Sequence, residues 1–122
     1  MNEITNTPVK KYDLEERTFN FAKRVNEYVN KLPKTITNIE NGKQLARSAG
    51  SVGANYIEAN NSLSKKDFLL RIRISKKEAK ESCFWIRLAE PEISQLKEKG
   101  ALFNEATELM KILGSILEKS KV

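Results

Sequence analysis

The sequence contains no histidine and a single cysteine among its 122 residues. Zinc sites draw mainly on His and Cys, so Cys83 alone cannot form one. Ser–His and Cys–His nucleophile pairs are excluded for the same reason. The Glu-x-x-His motifs of di-iron helical proteins cannot occur either. One cysteine cannot close a disulfide within the chain, which points to a reduced, cytoplasmic protein. Only 5 glycines and 3 prolines are present, so long loops are not expected. No glycine-rich phosphate loop of the Walker or dinucleotide type appears. No stretch approaches the ~18 uninterrupted apolar residues of a membrane span. The opening residues, MNEITNTPVKKYD, are polar and lack the apolar segment of a signal peptide. Only carboxylates and lysines remain for catalysis, and the expectation is a protein that is not an enzyme and holds no cofactor or metal.

What is present is charge and helical pattern. Charged residues make up 31% of the chain and hydrophobic residues 39%, and 22 Lys and Arg against 16 Asp and Glu leave a net charge of +6. The length suits one domain, read here as residues 13–122 behind a flexible tail of residues 1–12. Apolar spacing predicts an all-α fold of four helices. The first runs from about Asp13 to Leu32 on Leu14, Thr18, Phe21, Val25, Tyr28 and Leu32, and Pro33 stops it. The second starts between Thr37 and Gln44, where Thr37 with Glu40 and Asn41 with Gln44 both read as capping boxes. Gly42 favours the later start, and the helix fades at Asn60 and Asn61. The third opens at Ser64, with Asp67 three residues on, and ends near Ala89, ahead of Pro91. Residues 91–100 read as a connector, with room for a helical turn, closed by Gly100. The fourth carries a wide stripe of Leu102, Phe103, Ala106, Leu109, Met110, Leu113, Ile116 and Leu117. Short connections between long helices favour antiparallel neighbours.

The stretch QLARSAGSVGANYIEA, residues 44–59, is unusual for a helix because so many of its residues are small. On a helical wheel, Leu45, Ala49, Val52, Tyr56 and Ala59 form one stripe. Ala46, Gly50, Gly53 and Ile57 form a second, which lets another backbone come close, either within the chain or from a second subunit. Glycine inside a helix costs about 1 kcal/mol against alanine, so a close contact must offset it. Arg47, Ser51, Asn55 and Glu58 form a third stripe. The third helix also has two apolar sides: Phe68, Ile72, Ser75, Ala79, Cys83 and Ile86 on one, and Leu70, Ile74, Trp85 and Leu88 on the other, beside Glu78 and Glu81. Two apolar sides call for more partners than one four-helix monomer supplies. Cys83 reads as a small core residue. Gly50, Gly53, Ile74 and Trp85 are the candidates for close packing or a subunit interface. Arg47 is expected to pair with a carboxylate of the third helix, since its planar fork matches a carboxylate. The alternative is a ligand site made by Arg47, Asn55, Glu58, Glu78 and Glu81.

Three segments, QLARSAGSVGANYIEA, SKKDF and RISKKEAKESCFWIRL, resemble the bacterial four-helix-bundle family encoded in intervening sequences of large-subunit ribosomal RNA genes. The run Gln44-Leu45-x-Arg47-Ser48-Ala49-x-Ser51-Val52, the pair Asn55-x-x-Glu58 and the run Lys77-Glu78-Ala79-x-Glu81-x-x-x-Trp85 carry the resemblance, which extends over roughly residues 12–118. It implies an up-down-up-down antiparallel bundle assembled as a homopentameric ring. It also implies kinship with the accessory protein of diversity-generating retroelements, which suggests binding to nucleic acid and to a reverse transcriptase. The chain departs from the pattern at Ala59, where many members carry glycine.

Two functional classes follow. One is a nucleic-acid-binding module of little sequence specificity, with Lys66, Arg73, Lys76, Lys77, Lys80 and Arg87 on one arc of the third helix as its footprint. Aromatic residues are sparse on that arc apart from Phe84, so base stacking has little support in the pattern alone. The other class is a scaffold that binds another protein, such as a reverse transcriptase or a ribosome-associated factor, through the assembled ring.

Overall fold

The computed structural model describes residues 11–121. Among them are four α-helices and no strand: α1 (Lys11–Asn30), α2 (Ile36–Asn60), α3 (Lys65–Leu88) and α4 (Leu96–Lys119), with a 3-10 turn at Ile93–Gln95 leading into α4. The expected tail falls mostly on residues 1–10, outside the described residues, but Lys11 and Tyr12 already belong to α1.

One stripe from each helix meets in a shared core. It holds Leu14, Phe21, Val25 and Tyr28 of α1 with Leu45, Ala49, Val52 and Tyr56 of α2. Ile72, Ala79 and Ile86 of α3 and Leu102, Ala106, Leu109 and Leu113 of α4 complete it. Each large aliphatic or aromatic side chain buried there contributes roughly 1.5–3 kcal/mol relative to exposure. No helix among the described residues is long and apolar enough to cross a membrane.

Two boundaries differ from the sequence reading. Helix α2 begins at Ile36, and its cap is Thr35, whose Oγ1 accepts the Asn38 N–H at 3.1 Å. Neither expected capping box is used, and the helix runs straight through Gly42. The reason is packing: a Cβ on Gly42 would stand 2.9 Å from Val29 Cγ1. The glycine therefore lets α2 approach α1 rather than marking a helix end. The second difference is the connector at residues 91–100, which is much shorter than expected. Glu92 and Gln95 form a reciprocal capping box, α4 starts at Leu96, and Gly100 lies inside it with open space around it. Other signals acted as read. Ser64 caps α3 by accepting the Asp67 N–H at 3.1 Å, and Ala89 turns to extended backbone before Pro91. Helix α2 continues through Ala59 and ends at Asn60, so alanine serves at that position.

Asn38, almost fully buried, ties the two ends of the chain's connections together. Its Nδ2 donates to the carbonyls of Pro33 (3.0 Å) and Glu90 (2.8 Å), and its Oδ1 accepts the Glu90 N–H at 2.9 Å. Two Arg–Glu pairs clamp α1 to α4. Arg17 grips Glu105 through Nε (2.7 Å) and Nη2 (2.9 Å), and Arg24 grips Glu98 through Nε (3.1 Å) and Nη2 (3.0 Å). These pairs are partly solvated, which limits each to about 1 kcal/mol or less.

Candidate nucleic-acid interface and polar cluster

Serines carry polar contacts between α2 and α3. Ser48 Oγ lies 2.8 Å from Ser82 Oγ, and Ser75 Oγ donates to the Val52 carbonyl at 2.7 Å. Each hydroxyl has one proton, so one of the two serines donates to the other, which donates in turn to its own helix, at Leu45 O for Ser48 or Glu78 O for Ser82. Buried hydroxyls that find such partners avoid the desolvation penalty of an unpaired polar group. Serine in these runs therefore serves helix–helix contact; the apolar stripes placed Ser75 on the buried side but not Ser48 or Ser82.

At the edge of this contact sits the polar cluster. Arg47 Nη1 donates to Glu78 Oε1 at 3.3 Å, and Arg47 Nη2 donates to Glu81 Oε2. The same Glu81 oxygen accepts the Trp85 Nε1–H at 2.9 Å. These bonds lie within one chain. The Trp85 hydrogen bond, aided by Arg47, holds the Glu81 carboxyl below the usual carboxylate range despite its partial burial. Burial works against the Arg47 guanidinium, but the two carboxylates outweigh it and hold its pKa above the ordinary value. Asn55 is engaged separately: its Oδ1 accepts from Arg71 Nη1 at 3.0 Å and its Nδ2 donates to Ser51 O. Glu58 is exposed and joins neither group. Arg47, Glu78, Glu81 and Trp85 are thus one unit, Asn55 with Arg71 another, and Arg71 was not anticipated from the sequence.

The glycine pair splits. Gly53 is buried, and a Cβ there would lie 2.9 Å from Thr18 Oγ1 and 3.2 Å from Thr18 Cβ, so the close approach is to α1. Gly50 is exposed with nothing within 4 Å of a would-be Cβ, so it makes no close contact within the chain. Ile74 is half-buried.

The basic arc lies on the side of α3 that turns toward α4. Lys66, Arg73, Lys77, Lys80 and Arg87 are exposed. Lys76 is half-buried, because its stem lies over Gly114 of α4 at 3.5 Å from a would-be Cβ. None of these six cations forms an ion pair among the described residues. Cys83 is half-buried and faces Thr107 Oγ1 at 3.7 Å. No group of three or more Cys, Asp and Glu among the described residues is arranged to hold a metal ion.

A profile of the 23S rRNA-intervening sequence protein family matches residues 10–115. The chain belongs to this family. Its match takes in all four helices up to the last turn of α4, including the Arg47–Glu78–Glu81 unit. A crystal structure of a protein of unknown function from the S23 ribosomal protein family of Bacteroides thetaiotaomicron VPI-5482 is similar, with 28% identity and a TM-score of 0.76. The similarity covers 88% of this chain and 97% of that one. Comparison with curated proteins finds no match. The family resemblance carried by the three motif segments is therefore correct.

Proposed function

We propose that this family member is a non-enzymatic, oligomeric module that binds the phosphate backbone of RNA or DNA with little sequence preference in the cytoplasm. The observation that carries the reading is the row of exposed, unpaired cations on α3, on a chain of net charge +6. Such a row is an electrostatic footprint for a polyanion, and phosphate contacts carry no base identity.

The cross-helix bonds support the antiparallel bundle. Along α1, Arg17 and then Arg24 meet Glu105 and then Glu98 of α4. Along α2, Arg47 and then Asn55 meet Glu78 or Glu81 and then Arg71 of α3. In both pairs the partner numbers fall as the helix numbers rise. The ring of five copies is what the resemblance implies, and it would repeat the basic row five times. Exposed Phe19, Ile39 and Ile57 beside the α1–α2 seam, and exposed Leu70 and Leu88 on α3, support burial of these faces against another chain. The same apolar exposure favours a second reading, a scaffold that binds another protein such as a reverse transcriptase or a ribosome-associated factor.

The test is an anisotropy titration with structured RNA, duplex DNA and single strands at two salt concentrations. Affinity should fall steeply with salt through counterion release. Changing Arg73, Lys77 and Lys80 together to Ala should weaken binding about equally for unrelated sequences and flatten the salt slope by roughly 0.7–0.9 per lost phosphate contact. Lys76 is unsuited to this test because it packs on α4. Absence of binding at low salt, with nuclease-resistant capture of one protein partner, would replace this reading with the scaffold.

A further inference from the structure

The basic side of α3 is not bare charge. Phe84 projects from it with 53% of its surface exposed, one turn beyond Lys80 and one turn before Arg87. Its ring meets Trp85 edge to face, with centroids 4.9 Å apart and planes at 79°. That contact restrains the ring while half of it stays open. Across from it, partly buried Phe103 of α4 borders the same open groove, about 510 Å³ in volume, together with Lys77, Lys80, Arg87 and Glu81, whose Oε2 is already taken by Arg47 and Trp85. A second groove of about 460 Å³ adjoins it, sharing Arg87 and Phe103 and adding Lys99. An exposed aromatic ring flanked by unpaired cations suits a polyanion that also offers flat apolar faces. Duplexes hide those faces inside their base stacks, whereas unpaired strands present them.

We propose that the groove between α3 and α4 holds an unpaired nucleotide of a single-stranded nucleic acid, its base stacked on Phe84 and its phosphates beside Lys77, Lys80 and Arg87. The proposal rests on the reading of α3 as a phosphate-binding face and narrows it to single strands. Lys77 and Arg87 are ten residues apart, about 15 Å along the helix, so the site spans a short run of nucleotides. The preference is for strandedness, not sequence, because every base has a stacking face.

The experiment titrates the full chain with a single-stranded oligonucleotide, an abasic oligonucleotide of equal length and a duplex. Wild type is compared with Phe84→Leu and with the double change of Lys77 and Lys80 to Ala, and each protein's oligomeric state is checked by sedimentation. Wild type should prefer the single strand. Phe84→Leu should weaken that binding roughly ten- to a hundred-fold and leave the abasic probe unaffected. The lysine variant should weaken all three. Trp85, the sole tryptophan, should change its emission with the single strand and not with the abasic probe. Equal affinity for all three probes, with Phe84→Leu unchanged, overturns the stacking site but leaves the phosphate face standing if the lysine variant still loses affinity. If Phe84→Leu alters the oligomer and weakens every probe alike, Phe84 is packing between copies and the proposal fails. Absence of binding by wild type to any probe at low salt overturns both readings.

Discussion

A methyl group added at Gly53 would press on Thr18, which is fully buried and already donates its hydroxyl to Glu15 O at 2.9 Å. A methyl added at Gly50, one turn earlier, meets nothing within 4 Å. The two glycines thus have opposite expected responses to alanine. Gly50→Ala should raise the stability of the chain by up to about 1 kcal/mol through helix propensity alone. Gly53→Ala gains the same propensity but must push α1 from α2, and overpacking of this kind typically costs about 1–3 kcal/mol. Urea unfolding of both variants checks the contrast; equal midpoints would show that Thr18 yields without cost. A stabilised Gly50→Ala chain that no longer assembles would place Gly50 against another copy.

At the scale of elements, the α1–α4, α2–α3 and α1–α2 pairs are each joined by a different chemistry. Arg–Glu forks link α1 to α4, while serine hydroxyls and the Arg47 cluster link α2 to α3. Glycines let α1 and α2 touch, and Asn38 binds the α1–α2 turn to the segment after α3. The Arg47 cluster should make the α2–α3 link pH-dependent. Glu81 is held below its ordinary value of 4.5, first by the Trp85 hydrogen bond and then by Arg47. A carboxylate lowered in the folded state contributes its full stabilisation above the ordinary value and loses it as pH falls through the lowered one. Glu81→Gln should therefore melt below wild type at neutral pH, by no more than about 1 kcal/mol for so solvated a pair. The gap should close as pH drops below 4.5. A gap that persists in acid would mean that the charge of Glu81 is not what matters.

For the whole molecule, the outer surface is divided. Phe19, Ile39 and Ile57 flank the α1–α2 seam, where Gly42 and Ala46 line an open groove of about 270 Å³. The α4 side of α3 is basic instead. Assembly through the α1–α2 seam would leave the basic side open, which is the arrangement the proposed function needs, whereas burial of Leu70 and Leu88 would cover its Lys77 edge. Sedimentation at micromolar concentration should give a multiple of the 13.9 kDa chain, five-fold if the family resemblance extends to the ring. Phe19→Ser or Ile57→Ser should shift the species toward monomer without changing the helical circular dichroism signal. A wild-type monomer would remove the ring and leave these side chains for a different protein.

Helix number and core were legible in the sequence because both depend on local pattern. The 3.6-residue period decides which side of each helix is apolar, and the stripes on Leu14 to Leu32, Leu45 to Ala59 and Leu102 to Leu117 are the ones that fill the core. Ser64 and Pro91 set the bounds of α3 by local backbone chemistry alone. Arg47 could be matched to a carboxylate of α3, since a guanidinium beside two glutamates in a helical contact has few other solutions. The tertiary structure decided which residue meets which across a seam. Gly42 reads as favouring a later helix start until Val29 is placed against it, and Gly50 and Gly53 share a stripe but not an environment. Asn38, Arg71 and the Arg17 and Arg24 pairs bond partners 16 to 88 residues away, a separation over which helical periodicity carries no information. The same holds for the groove of Phe84 and Phe103: two rings on different helices become one surface only when the core fixes the rotation of α3 against α4.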